Sequence, residues 1–191
     1  MRQGRMNGAV GNGKRLATQQ SLNGAIKSIC DIMRRSICAD ALQYVPELTR
    51  IFFLPILDQR EMREAEEARA VGVEYTPSLQ PPYCWRDWAA PYDVFLFGQV
   101  DGALSTGWKR RELQNGSLGA FFGFVNDELI PHLKKLREQP NAMPRQEIIS
   151  EIFAGVERTH IDTERNLLDV LDKVHEISSE TVNPTHVFTL S

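Results

Sequence analysis

Apolar residues recur at steps of three and four positions along most of this 191-residue chain. The pattern begins near Ser21 and returns after Ser117, Pro144 and Asp162, and it places the apolar side chains of each stretch on one face of a helix. The first stretch shows it with Leu22, Ala25, Ile26, Ile29, Met33 and Ile37. Strand signals are scarce. The sequence therefore predicts a mainly α fold, a bundle of about five helices that forms one domain over residues 21–191.

Capping residues and prolines give finer predictions about the helices. Ser117 and Asp162 are suited to cap the third and the last long helix, and Pro144 is suited to the first turn of the fourth. A proline inside a helix lacks the amide donor and presses on the carbonyl four residues earlier. We therefore expect a kink at Pro55 in the second helix and a bend at Pro131 in the third.

Two segments lack the helical period. Residues 1–20 combine glycines with four basic residues and no acidic residue, which predicts a flexible basic arm. Residues 71–113 are rich in proline and glycine, yet they contain all three tryptophans of the chain. Because a disordered linker rarely holds three tryptophans, we predict an irregular Trp/Pro-rich insertion that packs over the helices, with a short strand near residues 94–97.

The second helix, over about residues 39–70, ends in a charged run from Asp58 to Arg69. Acidic and basic residues are mixed there at i,i+4 spacing, which is typical of a solvated helix face. The alternative is that this charged helix lies against a partner protein. In the last helix, the period places His175 just beyond the solvent-facing side.

The net charge of −3 argues against a protein that binds DNA unaided through a large basic surface. Local basic groups remain as candidates for binding. Each is either an ordinary solvated cluster or a set of contacts to DNA phosphates, which fix position on a duplex without reading its sequence. The candidates are Lys109, Arg110 and Arg111 in the insertion, and Lys134, Lys135 and Arg137 at the end of the third long helix.

Composition excludes several other classes of protein. The longest apolar run, residues 51–57, is too short to cross a membrane, and no apolar stretch follows the basic N-terminus to form a signal peptide. We therefore expect a cytoplasmic protein without a membrane partner. The three cysteines fit reduced thiols better than a disulfide framework. The four histidines lie on separate elements without carboxylates at metal-ligand spacing, so we expect no metal site.

No self-contained active site can be recognised. Gly8, Gly13 and Lys14 match part of a phosphate-binding loop, but Arg15 stands where a hydroxyl group must hold magnesium. The run Gln80-Pro81-Pro82-Tyr83 resembles the signature of amino-methyltransferases, but glutamine has the wrong length for its first position. We interpret the first motif as part of the arm and the second as a proline-rich turn. We expect neither a catalytic residue nor a bound cofactor in this chain.

Several sequence segments of the chain nevertheless resemble the N-terminal helical domain of the modification (M) subunit of type I restriction-modification systems. The likeness extends over about residues 21–191. It rests on matching sequence segments and not on a catalytic motif. They include Ala41-Leu-Gln-Tyr-Val-Pro-Glu-Leu-Thr49, Ile51-Phe-Phe-Leu54, Phe124-Val-Asn-Asp-Glu-Leu-Ile-Pro131, Ile148-Ile-Ser-Glu-Ile-Phe153 and Arg165-Asn-Leu-Leu-Asp-Val-Leu-Asp-Lys-Val-His175.

The resemblance implies a subunit of an adenine-specific DNA methyltransferase, with double-stranded DNA, a specificity subunit and a methyltransferase core as partners. Such domains help the M subunits to close around DNA and to sense the methylation state of the target adenine. In that family, a Rossmann-like domain with an S-adenosylmethionine loop and an Asn-Pro-Pro-Phe motif performs the chemistry. Neither motif occurs in this sequence, so we expect the catalytic domain to be absent and S-adenosylmethionine to belong to it.

Three functions follow as hypotheses. The first is a DNA-engagement and assembly domain of such a methyltransferase subunit, not catalytic by itself. The alternative is a free-standing helical protein–protein interaction module that binds through the charged helix of residues 58–69. A weaker third possibility is a small enzyme with an unrecognised site in the Trp-rich insertion.

Overall fold

The computed structural model describes residues 19–36, 41–93 and 106–181. The helices of these segments are α1 (Gln19–Arg35), α2 (Ala41–Ala70), α3 (Trp85–Trp88), α4 (Trp108–Gln114), α5 (Ala120–Gly123), α6 (Ile130–Lys135), α7 (Pro144–Phe153) and α8 (Glu164–Thr181). A π-helical turn (Phe124–Leu129) joins α5 to α6, and a 3₁₀ turn (Leu136–Glu138) follows α6. The described part of the chain contains no strand, only an isolated antiparallel bridge between Asp93 and Thr106.

The predicted mainly α fold is confirmed. The five predicted helices correspond to α1, α2, the continuous α5–α6 segment, α7 and α8. Residues 1–18 of the predicted basic arm and the predicted strand at 94–97 lie outside the described residues. No helix in the described ranges is long and apolar enough to cross a membrane.

The core lies between α8 and its neighbours α1 and α2, and between α6 and α7. The apolar stripes that the sequence predicted face inward: Ile29 and Met33 of α1 and Val170 and Leu171 of α8 are fully buried. Burying an aliphatic side chain of this size contributes about 1.5–3 kcal/mol. Ile148 of α7, in contrast, points outward and is 54% exposed, while its neighbour in sequence Ile149 is buried.

Pro55 and Pro131, where the sequence predicts a kink and a bend, are accommodated differently. Helix α2 continues through Pro55, whose ring is fully buried in the core. In the third long helix, the π-helical turn ends at Leu129, shortly before Pro131, which has no amide to donate to the carbonyl four residues earlier. The expected distortion at Pro131 is therefore a local widening of the helix. It places Asn126 so that its Nδ2 donates to the Phe122 carbonyl and its Oδ1 accepts from the Thr159 amide, both at short distance (3.0 and 2.9 Å).

The two predicted side-chain caps are wrong. The third long helix begins at Ala120, three residues after Ser117, with Gly119 as its N-cap residue. A tertiary contact replaces the cap, because Glu164 Oε2 accepts a 3.0 Å hydrogen bond from the Phe122 amide. Such a carboxylate also interacts favourably with the positive end of the helix dipole.

At α8, the capping group belongs to the next residue after the predicted one. Thr163 Oγ1 accepts from the Asn166 amide at 3.2 Å, whereas Asp162 binds the Asn166 side chain instead. Pro144 does open α7 at its first turn, as predicted.

The described part of the insertion is ordered and packs over the helices, as predicted. It is more regular than expected, because it contains the short helix α3 and most of α4. Trp85 and Trp88 are each only 3% exposed. The ring of Trp88 lies 6.3 Å from the rings of both Phe121 and Phe124, so the insertion contributes aromatic side chains to the core beside α5.

Candidate functional site

The basic cluster at the end of α6 borders a cavity. Lys134 and Lys135 lie in the last turn of α6 and Arg137 in the 3₁₀ turn, and all three line a cavity of about 250 Å³. Cations are favoured at the C-terminal end of a helix by its dipole. The remaining lining residues are Ile130, Pro131, Glu138, Ala154 and Glu157.

The charged side chains that line this cavity carry a small positive excess. Three cations face two carboxylates, and among the described residues none of the three cations has an ion-pair partner. The backbone below them is held firmly, because the Arg137 amide donates to Ser150 Oγ (2.9 Å) and that hydroxyl donates to the Leu133 carbonyl (3.0 Å). The Arg137 residue itself is exposed, so its guanidinium can reach a ligand in solution.

The second basic cluster, on α4, is divided among three environments. Lys109 forms an ion pair with Glu112 (2.9 Å), and its Nζ lies 5.8 Å from the centre of the Phe124 ring. Arg111 is exposed. These two cations face different directions and are not brought together into one patch.

Arg110 lies between them and is buried, with 6% exposure. Its Nη1 donates to Asp172 of α8 (2.6 Å) and to the Ala89 carbonyl (2.8 Å). A guanidinium engaged in this way joins α4 to α8 and to the insertion. It is not presented to solvent as a phosphate contact would require.

The predicted solvated face of residues 58–69 is wrong for its two most important acids. Asp58 and Glu61 are buried rather than exposed. Asp58 Oδ1 accepts from Arg86 Nη2 and Nε at 2.8 and 3.0 Å. Burial raises the pKa of Asp58 above its usual value, although the adjacent Arg86 lowers it. The physical reason for the error is that the partner cation lies in the insertion, far along the chain.

A second ion-pair group connects α2 to α7. Arg145 Nη1 donates to Glu64 (2.8 Å), to Glu61 (3.2 Å) and to the Tyr75 hydroxyl (3.2 Å). Hydrogen bonds from Arg145 and Tyr75 lower the pKa of Glu64 to about 2, and burial together with Glu64 raises the pKa of Tyr75 to about 12. Only the outward residues of the run, Arg60, Arg63, Glu66, Glu67 and Arg69, remain exposed.

A third polar group connects α2 to the loop after α7. The buried carboxylate of Glu47 accepts hydrogen bonds from the Thr159 hydroxyl, from the His160 amide (2.9 Å) and lies 2.9 Å from His160 Nδ1. The sequence shows Glu47 only as one polar residue near the start of α2. Nothing local indicates that its partners lie more than one hundred residues away.

His175, predicted just beyond the solvent-facing side of the last helix, is half-buried against the insertion. Its Nδ1 accepts a 3.2 Å hydrogen bond from the Trp85 indole, and burial lowers the pKa of the imidazole. The neutral ring, with an unprotonated Nδ1, is the form that this bond requires. Among the described residues, no group of three or more His, Cys, Asp or Glu side chains is placed to hold a metal ion.

Comparisons with known proteins identify the relatives of this chain. It matches no protein-family model. It is 28% identical over 169 residues to the EcoEI type I restriction enzyme methylase subunit of Escherichia coli, which covers 88% of this chain and 29% of that protein. Its structure is similar, with a TM-score of 0.60 and 29% sequence identity, to the crystal structure of a modification subunit assigned to a type I restriction enzyme from Vibrio vulnificus YJ016. Homologues of this chain are type I restriction methylase subunits.

The likeness is restricted to part of those proteins. The structural match covers 83% of this chain and 31% of the Vibrio chain. The chain thus spans less than a third of the length of the relatives that it matches. This extent is consistent with an N-terminal domain of an M subunit.

The segment Gln80-Pro81-Pro82-Tyr83, which resembles the amino-methyltransferase signature, lies in a packed turn of this chain. The Tyr83 ring stacks on the His132 imidazole, with ring centres 3.7 Å apart, and lies parallel to Phe124. Gln80 Nε2 donates to the Pro77 carbonyl within the turn. One face of the Tyr83 ring is therefore already covered by His132, which supports the interpretation as a proline-rich turn.

Proposed function

We propose that this chain is the N-terminal DNA-engagement and assembly domain of an adenine-specific methyltransferase subunit in a type I restriction-modification system. The observation that carries the proposal is the agreement of two matches: sequence similarity over 88% of the chain and structural similarity over 83% of it point to the same kind of subunit. The proposal assigns no S-adenosylmethionine contact and no chemical step to the residues of this chain. Those belong to the methyltransferase core, its proposed partner.

DNA engagement would depend on local cations and on the partners, because the chain as a whole carries a net charge of −3. We assign the phosphate contacts to the cluster of Lys134, Lys135 and Arg137, with the exposed Arg111 of α4 as a separate contact. Arg110 has an internal role, since it is buried against Asp172.

The α6 cluster gives a direct prediction. Replacing Lys134, Lys135 and Arg137 together by alanine weakens binding to duplex DNA and makes it less dependent on salt. The slope of log affinity against log salt concentration is negative, and each phosphate contact that is lost reduces its magnitude by about 0.9. Fluorescence anisotropy of a labelled duplex at several salt concentrations measures both quantities.

The matched control removes the same charge from another exposed surface. Arg60, Arg63 and Arg69 lie on the outward side of α2, so their triple alanine variant changes net charge equally. We expect it to leave the salt slope almost unchanged. An equal effect of both triple variants would mean that net charge alone matters and would contradict the assignment.

The assembly role is tested by reconstitution. The methyltransferase core and the specificity subunit are supplied separately, and adenine methylation is measured with and without this chain. We expect methylation to require the chain, because the core alone would lack the domain that closes around DNA. Methylation that is unchanged without it would favour the free-standing interaction module instead.

A further inference from the structure

Arg111 is the cation of α4 that is open to a ligand, and an aromatic ring holds it. Its guanidinium carbon lies 4.3 Å from the centre of the Tyr92 ring, within the range of a cation–π contact. Both residues are exposed, Tyr92 to 39%. Their neighbours differ, since Lys109 is paired with Glu112 and Arg110 with Asp172.

The backbone fixes the position of Tyr92 relative to α4. Asp93 and Thr106 form an antiparallel bridge, in which the Asp93 amide donates to the Thr106 carbonyl at 3.1 Å. The next residue, Gly107, donates to the Arg86 carbonyl at 2.7 Å, and α4 starts directly after it. The segment that carries Tyr92 and the helix that carries Arg111 are therefore joined at one crossing point.

The contact with the Tyr92 ring restricts the orientations open to the Arg111 guanidinium, whose N–H donors lie in one plane. That plane matches two oxygens of a phosphate group, and less conformational freedom is lost on binding because the side chain is already oriented. We propose that Tyr92 is a positioning residue that holds Arg111 to bind one backbone phosphate of duplex DNA. This inference rests on the proposed function and adds Tyr92, an uncharged residue, to the groups that contribute to DNA binding.

The test measures duplex affinity of the full chain at low salt for four variants. Arg111→Ala removes the contact, and we expect about ten-fold weaker binding. Tyr92→Leu leaves Arg111 in place but without its support, and we expect about three-fold weaker binding. Tyr92→Phe keeps the ring face and so retains wild-type affinity. The double variant Arg111→Ala/Tyr92→Leu binds no more weakly than Arg111→Ala alone, because Tyr92 acts through Arg111.

Several outcomes overturn the inference. If Tyr92→Leu weakens binding additively with Arg111→Ala, or if Tyr92→Phe fails to restore affinity, Tyr92 does not act by positioning Arg111. If the α6 triple variant loses affinity while Arg111→Ala and Tyr92→Leu bind like wild type, this inference fails and the proposed function stands. A wild-type chain without any salt-dependent affinity for the duplex, both alone and with the methyltransferase core and specificity subunit added, contradicts both. Thermal unfolding of each variant controls for a loss of fold.

Discussion

Replacing Gly107 with alanine lowers the free energy of unfolding by at least about 3 kcal/mol. The backbone at Gly107 has a φ of +66°, a conformation that disfavours any residue with a side chain. A Cβ there would also lie 2.6 Å from the Ala90 carbonyl oxygen, the Pro91 carbonyl carbon and the Tyr92 amide nitrogen. All three are backbone atoms, so no side chain can turn away to make room. Chemical denaturation monitored by circular dichroism measures the loss.

The matched control is Gly119→Ala. Gly119 has a similar φ of +80°, but an added Cβ would meet no atom within 4 Å. This variant carries the conformational cost alone, about 1–2 kcal/mol. The difference between the two variants isolates the steric term at the crossing of the insertion with α4. Equal losses would show that the crossing can open without cost, which would also weaken the argument that it fixes Tyr92.

The helices could be predicted because helix periodicity is a local property. Leu167, Val170, Leu171 and Val174 repeat at helical spacing and are all buried, as a single amphipathic stripe requires. The caps failed for the opposite reason. Ser117 satisfies every local criterion for an N-cap, but the group that reaches the Phe122 amide is a carboxylate 42 residues away.

The candidate site shows the same limit. Lys109, Arg110 and Arg111 are consecutive in sequence, but consecutive residues of an α-helix point about 100° apart. Adjacent cations therefore enter three environments: an exposed ion pair, a buried one and an aromatic contact. Local sequence can predict that the chain has cations here, whereas the fold decides which of them faces solvent.

Buried charges on α2 were missed because their partners are distant. The i,i+4 pair Arg60–Glu64 is present as the pattern indicates, with 2.9 Å between Nε and Oε1. Asp58 and Glu61, however, are paired with Arg86 and Arg145, 28 and 84 residues away in sequence. Since no short-range pattern distinguishes a buried acid from a solvated one, the sequence alone predicts a solvated helix face for the whole run.

Removal of Arg86 has the second large effect. The variant Arg86→Met preserves much of the side-chain volume but leaves the carboxylate of Asp58 with one backbone donor, the amide of residue 86 itself at 3.2 Å. Leaving a buried charge without its partner costs about 3 kcal/mol or more. Arg60→Ala is the control, since the Arg60 side chain is 70% exposed and its pair with Glu64 is expected to contribute less than about 1 kcal/mol. Unfolding in urea at pH 7 compares the two variants.

Two further measurements identify Asp58 as the cause. Asp58→Asn in the Arg86→Met background removes the unpaired charge, so the double variant is expected to recover most of the lost stability. The pH dependence has a defined sign. The pKa of Asp58 is already raised by burial, and losing Arg86 raises it further. A carboxyl group with a raised pKa binds protons more strongly in the folded state than in the unfolded state, so stability increases as pH falls through that raised pKa. The deficit of Arg86→Met relative to wild type therefore narrows between pH 7 and pH 4. A deficit that widens on acidification would mean that Arg86 stabilises the fold by some route other than neutralising Asp58.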